Sequence, residues 1–215
     1  MIRLLTLAFA AASLLFTAGA GPTTASAQST AAQSTAAQAR GASAAEGTDV
    51  PPKMLFDFED AGKARWRVES DRVMGGRSTG SAEVTEGTLV FTGEVVTEGG
   101  GFSSVRAGRQ VNLSGYDGIE LRVRGGGRTF ELDVSDGTES RGREVNRRGP
   151  VPTTGSWKTV RVPFDSLEET AYGEPVSPGP PDLSAVTSIG IYIIDGKDGP
   201  FRIEVDWIRA YRDEG

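Results

Sequence analysis

The chain is predicted to be all-β, a two-sheet antiparallel jelly-roll sandwich. Three observations carry that expectation. Apolar and polar residues alternate at period two along Gly118–Arg124 and Phe130–Val134, the pattern of strands with one buried and one wet face. Glycine and proline signals separate about ten such short runs, the spacing of a sandwich or barrel. No amphipathic helix is longer than a turn or two, and Asp165–Thr170 is the best helical candidate.

The strands follow in order. Leu55–Phe58, Arg65–Glu69, Gly80–Val84 and Phe102–Arg106 are short runs, and Thr88–Val96 is a longer one. Ile119, Leu121 and Val123 then alternate with charge. After Gly125-Gly126-Gly127, Phe130, Leu132 and Val134 do the same, which reads as a hairpin. Lys158–Phe164, Ser188–Asp195 and Phe201–Tyr211 complete the set. The first and last strands are expected to be neighbours, because nothing else covers the ends. Ala171–Leu183, with prolines at 175, 178, 180 and 181, reads as a long surface loop.

The chain has 215 residues, with 23 Lys and Arg against 29 Asp and Glu, a formal charge of −6, and neither His nor Cys. Absence of cysteine excludes disulfides, thiolate nucleophiles and iron–sulfur ligation. Absence of histidine excludes a Ser–His–Asp triad and His-bound zinc. The acidic balance argues against nucleic-acid binding, which favours a basic excess.

The organisation is tripartite. Residues 1–27 begin with Met1-Ile2-Arg3, run apolar from Leu4 to Phe16 and end Ala25-Ser26-Ala27. This is the pattern of a signal peptide cleaved after Ala27, with Ala18-Gly19-Ala20 as a second site. The apolar run is too short to span a bilayer, so no membrane insertion is expected once the leader is removed. The expected location is exported, periplasmic or secreted. Residues 28–52 are Ala, Gln, Ser, Thr and Gly, with Gln-Ser-Thr-Ala-Ala-Gln in tandem. Such a segment buries too little apolar surface to offset its ordering entropy and reads as a flexible linker. Residues 53–212 are the folded domain.

Within that domain the motifs become specific. They are Trp66, then Asp71-Arg72-Val73-Met74-Gly75-Gly76-Arg77-Ser78, then Gly99-Gly100-Gly101-Phe102-Ser103-Ser104-Val105-Arg106. Tyr116-Asp117-Gly118-Ile119, Trp157-Lys158-Thr159-Val160 and Gly199-Pro200-Phe201 through Val205-Asp206-Trp207-Ile208 follow. This series resembles the complex I intermediate-associated protein family, over residues 54–212 and in order. The sequence departs from the family pattern at Gly125-Gly126-Gly127, where Gly-Asp-Gly is frequent, and at Arg72, where an acid is common. The resemblance implies a galactose-binding-like jelly roll and a role in building NADH:ubiquinone oxidoreductase. It supplies no catalytic residue, so the expected function is a non-enzymatic exported binding or assembly domain with a protein partner. A carbohydrate-binding module is the alternative. The arm of complex I that needs assembly lies on the matrix or cytoplasmic side, so an export signal separates the fold from that role.

Candidate site residues follow from charge in small-residue surroundings. Asp71 and Arg106 stand in the two glycine motifs and are expected either to pair with each other or to bind a ligand. Trp157 lies opposite Val160, Val162 and Phe164 and is the candidate sugar platform, while Trp66 reads as core or rim and Trp207, extending the Phe201, Ile203, Val205 face, reads as core. Asp57, Glu59 and Asp206 sit on the terminal strands. In galactose-binding-like jelly rolls those strands are neighbours and many members carry calcium there, so these acids are the candidate ligands of a structural calcium. Arg141, Arg143, Arg147 and Arg148 form a basic cluster, either a solvated loop or a grip on an anionic partner. Glu131 and Asp133 would serve a hydrolase only if they faced a cleft, and beside Arg128 they read as a charged ladder. Gly99-Gly100-Gly101 lacks the Gly-Lys-Ser/Thr ending and following helix of a phosphate loop.

Overall fold

A computed structural model describes residues 50–171 and 173–213; the predicted leader and almost all of the predicted linker lie outside the described residues. The strands are β1 (Lys53–Phe56), β2 (Trp66–Ser70), β3 (Thr79–Thr85), β4 (Thr88–Val95), β5 (Ser103–Val111), β6 (Gly118–Gly125), β7 (Thr129–Ser135), β8 (Glu139–Ser140), β9 (Arg143–Glu144), β10 (Asn146–Pro152), β11 (Lys158–Pro163), β12 (Glu168–Ala171), β13 (Glu174–Pro175), β14 (Val186–Ile193) and β15 (Gly199–Tyr211). One sheet runs β11-β6-β15-β4-β3, with β1 also paired to β15; the other runs β13-β12-β10-β7-β14-β5-β2; β8 and β9 form a separate ribbon. Every pairing is antiparallel, and β1 meets β15 with Lys53 opposite Ala210, as expected of the terminal strands. The fold is the predicted two-sheet sandwich. Among the described residues no helix is long and apolar enough to cross a membrane.

The core lies between the sheets. Leu89, Phe91, Ile119, Leu121, Val123, Ile203, Val205 and Ile208 come from the six-stranded sheet, and Val105, Phe130, Leu132, Val134, Ile189, Ile191 and Ile193 from the seven-stranded one, all buried. Each such side chain contributes roughly 1.5–3 kcal/mol by leaving water. Phe201 joins the layers, 4.8 Å from the Phe91 ring and 6.1 Å from Phe130.

Four local expectations need correction. β6 and β7 are not a hairpin: β6 pairs with β11 and β15, while β7 pairs with β10 and β14 in the other sheet. Their apolar rows face each other across the core, and the glycine turn carries the chain between layers. Asp165–Thr170 forms only a 3₁₀ turn at Phe164–Ser166 before β12. The proline-rich stretch gives β13, which pairs with β12. Trp207 does not continue the Phe201, Ile203, Val205 face. The register slips between Val205 and Trp207, a β-bulge that leaves Asp206 unpaired in the ladder and passes the inward positions to Ile208 and Ala210. Trp207 is half-buried, with the Arg209 guanidinium carbon 4.3 Å from its ring centre.

The chain crosses between sheets twice at one end. Residues 71–78 lead from β2 to β3, and residues 96–102 lead back from β4 to β5.

Candidate binding groove on the seven-stranded sheet

Those two crossings are tied by one carboxylate. Asp71 opens a 3₁₀ turn (Asp71–Met74), is fully buried, and accepts three hydrogen bonds. The Ser78 amide reaches Oδ1 at 2.8 Å, while the Ser78 hydroxyl and the Gly101 amide both reach Oδ2 at 2.6 Å. Burial pushes the Asp71 carboxyl up, but the Ser78 hydroxyl and the Gly101 and Ser78 amides outweigh it and hold it below the ordinary carboxylate value. A Cβ at Gly76 or Gly100 would run into that carboxyl group, so both glycine motifs are bare where they press on Asp71. Gly75 ends the 3₁₀ turn at φ 90°, a conformation that glycine adopts freely. The clasp leaves Val73 and Met74 outside, 68% and 58% exposed.

Beside that tip, a groove of about 630 Å³ opens on the outer face of the seven-stranded sheet. Phe102 and Ile194 join Val73 and Met74 at its apolar end; Arg106, Tyr192, Arg148, Asn146 and Glu144 line the polar end. Across the floor, Arg106 on β5, Gly190 on β14, Asp133 on β7 and Arg148 on β10 stand in one row. Arg106 and Asp133 are therefore two strands apart, roughly 9–10 Å. They meet because Gly190 has no side chain. The Arg106 guanidinium crosses it to reach Asp133 Oδ2 at 2.9 Å and the Tyr192 hydroxyl at 3.0 Å, and its other nitrogen reaches Glu144 at 2.8 Å. A Cβ at Gly190 would lie 3.4 Å from both Cβ and Cγ of Arg106. Arg148 bonds Thr170 at 2.9 Å and pairs with Glu131 at 3.1 Å.

Burial dominates the electrostatics of this floor. It pushes the Asp133 carboxyl up to about 6, against the opposing pull of Arg106 and Arg148. It pushes Glu131 up as well, again opposed by Arg148. Burial works against the charge of Arg106, but Asp133, Tyr192 and Glu144 hold it protonated, above its ordinary value. Asp133 Oδ1 is buried and accepts no hydrogen bond, and Arg148 Nε is buried and donates none.

The predicted site residues are dispersed. Asp71 and Arg106 do not pair: Asp71 is committed to backbone amides and Ser78 beneath the rim, Arg106 to Asp133, Glu144 and Tyr192 on the floor. Trp157 stands on the outer face of the other sheet. The guanidinium carbons of Arg124 and Arg122 lie 4.8 and 5.5 Å from its ring centre, so the surface offered to a sugar is already stacked. Asp206 pairs with Arg122 at 2.6 Å and Asp57 with Lys63 at 3.6 Å. The structure does not gather Asp57, Glu59 and Asp206 into a metal site, and among the described residues no group of three or more such ligands could hold an ion. The arginine run is not one solvated loop. Arg147 is buried and paired with Asp136 at 2.7 Å, and Arg148 belongs to the groove. Arg128 pairs with Asp195 rather than with Glu131 or Asp133. Tyr192 and Gly190 went unnoticed in the sequence, since a lone tyrosine and glycine in an apolar strand carry no signal of the residues beside them.

The comparisons with known proteins fit this geometry. A family model described as complex I intermediate-associated protein 30 matches residues 56–205. The mitochondrial complex I intermediate-associated protein 30 of Mus musculus is 28% identical over 179 residues, covering 69% of this chain and 52% of the relative. The probable mitochondrial counterpart of Caenorhabditis elegans is 27% identical over 173 residues, covering 69% and 50%. The chain thus spans about half the length of the curated relatives it matches. Among solved structures, a family 11 carbohydrate-binding module from a cellulosomal cellulase of Clostridium thermocellum superposes with a TM-score of 0.59 at 19% identity, covering 76% of this chain and 96% of the module. A second family 11 module structure, in complex with a β-1,3-1,4-mixed-linked tetrasaccharide, gives 0.57 at 18% identity, covering 75% and 95%. At such identities the likeness is one of fold. The curated relatives are mitochondrial proteins, and this overturns the expectation of an exported, periplasmic or secreted protein. The family match takes in the Asp71 clasp, both glycine motifs that it joins and the whole row from Arg106 to Gly190, and on that match the chain belongs to the complex I intermediate-associated protein 30 family.

Proposed function

We propose that this domain is a non-catalytic protein-binding module of complex I assembly, and that it holds its partner in the groove on the seven-stranded sheet. The observation that carries the reading is the exposed Val73–Met74 tip, fixed by a buried clasp beside an open polar groove. An apolar pair held out by a rigid turn costs exposure in the free chain and gains burial only against a partner. The relatives' names supply the process. Catalysis is disfavoured because Asp133 is sealed beneath its ion pair and Glu131 is tied to Arg148. A saccharide finds little stacking surface, because Arg148 and Arg106 lie 5.1 and 5.9 Å from the centre of the Tyr192 ring.

The test uses the full chain, affinity-tagged in its own cells, with co-purified complex I subunits quantified by mass spectrometry. Val73→Ser with Met74→Ser is expected to reduce their recovery about tenfold while protein abundance and melting temperature stay level. A wild-type chain that recovers no complex I subunit, or a variant that recovers them equally, overturns the reading. Binding to mixed-linked glucan that is lost in the same variant would move the groove to the carbohydrate class.

A further inference from the structure

The groove is asymmetric in which charges it shows. Resting on the protein-binding reading above, we infer that its occupant is a basic, apolar-flanked polypeptide segment: lysine or arginine over the floor, an aliphatic side chain against the Val73–Met74 tip.

Both arginines of the floor are sunk and committed. Arg106 is 25% exposed and bound to Asp133 and Glu144; Arg148 is 10% exposed and bound to Glu131. The acids that pair with them stand higher. Glu144 is 47% exposed and Glu131 34%, and Glu69 is exposed at the β2 side of the same groove. The lining itself sets Glu69 and Glu144 against Arg106 and Arg148; with Glu131 paired to Arg148 beside it and Asp133 beneath, four acids stand around two arginines. At the ends of the floor row, exposed Arg67 and Glu168 offset one another. A visitor therefore meets carboxylates first. The second observation is one of hydrogen bonding: Asp133 is fully buried under the floor, and its Oδ1 accepts no hydrogen bond. The floor thus holds a carboxylate that Arg106 pairs through one oxygen, with Arg148 acting on it without a direct bond, in surroundings of low dielectric where an added positive charge is felt strongly. A cation above the floor relieves that excess, and an anion aggravates it. The tip and Ile194, 38% exposed, supply the apolar half at the adjoining end. An extended segment alternates its side chains, so neighbouring positions can serve the two halves.

The experiment is fluorescence anisotropy on the full chain, with three labelled peptides of one length in which leucine alternates with lysine, glutamate or serine. The lysine peptide is expected to bind about tenfold more tightly than the glutamate peptide, with an advantage that shrinks as salt rises. Glu131→Gln with Glu144→Gln should bring the lysine peptide to the level of the serine peptide. The charge-matched control Glu83→Gln with Glu94→Gln, exposed on the other sheet, should leave it unchanged, which separates the groove from the chain's overall negative charge. Val73→Ser with Met74→Ser should weaken all three peptides alike. Equal binding of the three peptides, a preference for glutamate, or a lysine preference that survives the groove variant overturns the inference. If complex I subunits are still lost from the tip variant while the peptides show no charge preference, the assembly reading stands and the basic-segment assignment falls. If neither responds, both fall.

Discussion

Replacing Asp71 by Asn changes one atom and should cost the domain a large part of its stability margin. The carboxylate receives two backbone amides and one hydroxyl at 2.6–2.8 Å, with one amide on each oxygen. An asparagine keeps one acceptor oxygen and turns the other into a donor. The Ser78 hydroxyl can rotate to suit, but neither amide can. In one orientation the new NH₂ faces the Gly101 N–H; flipped, it faces the Ser78 N–H. Either way a charge-assisted bond worth roughly 1.5–3 kcal/mol is lost and a buried donor is stranded beside another donor. A total near 3–4 kcal/mol is expected, against a margin on the order of 5–15 for a domain. At about 2–4 °C per kcal/mol for a chain of this size, the melting temperature falls by about 10 °C. Scanning calorimetry reads that shift, and hydrogen exchange at Ser78 and Gly101 localises it. An Asn variant that melts within about 2 °C of the wild type would refute the account of the clasp. Because the native Asp71 value lies below that of the unfolded chain, its contribution is complete above the ordinary carboxylate range and is lost as pH falls through the lowered native value.

The groove floor behaves in the opposite sense. Asp133 rises from 3.8 to about 6 on folding, so the native state holds the extra proton between those values, and this group's contribution falls as pH climbs from 4 to 6, by at most about 3 kcal/mol. Asp133→Asn should therefore match or exceed the wild type in urea midpoint at pH 7.5 and lose that advantage at pH 4; a difference independent of pH would contradict it. Gly190→Val should push Arg106 off Asp133, since even a Cβ there touches the arginine stem. Its melting temperature should fall and its groove-binding affinity should weaken, whereas Gly190→Ala should be milder on both. Asp136→Ala strands Arg147, whose side chain is 1% exposed and whose only other acid among the described residues is Glu169 at 3.4 Å; a loss of roughly 3–5 kcal/mol should appear in chemical denaturation, and a loss under about 1 kcal/mol would show that the pair is dispensable.

The core was legible because period-two alternation is a local signal. Ile119, Leu121, Val123, Phe130, Leu132 and Val134 are all buried as that pattern requires. Which strands lie side by side was not legible, since the same alternation serves strands that pair and strands that face each other across the core. β10 escaped notice because Asn146-Arg147-Arg148-Gly149-Pro150 has the composition of a turn. Its arginines are buried only because Asp136, Glu169 and Glu131 come from distant stretches to meet them. The bulge beside Trp207 has no mark in the sequence at Asp206. Asp71 and Arg106 stood out as charges among small residues, and both sit in buried networks. Their pairing was not legible, because the partners of Arg106 lie 27, 38 and 86 residues further along the chain. Trp157, just ahead of β11, lies opposite the inward Val162 row as the alternation implied; the arginines stacked on it come from β6.

The clasp also fixes when the binding rim comes into being. Gly101 and Asp71 are 30 residues apart, and the chain between them crosses to the six-stranded sheet, forms β3 and β4 there, and returns. The Val73–Met74 tip therefore has no template until β3 and β4 have docked on their sheet and β5 has aligned with β2 on the other. Until the clasp closes, the groove lacks its apolar edge. On the proposed reading, a partner that grips both halves at once selects molecules in which the two crossings are already tied.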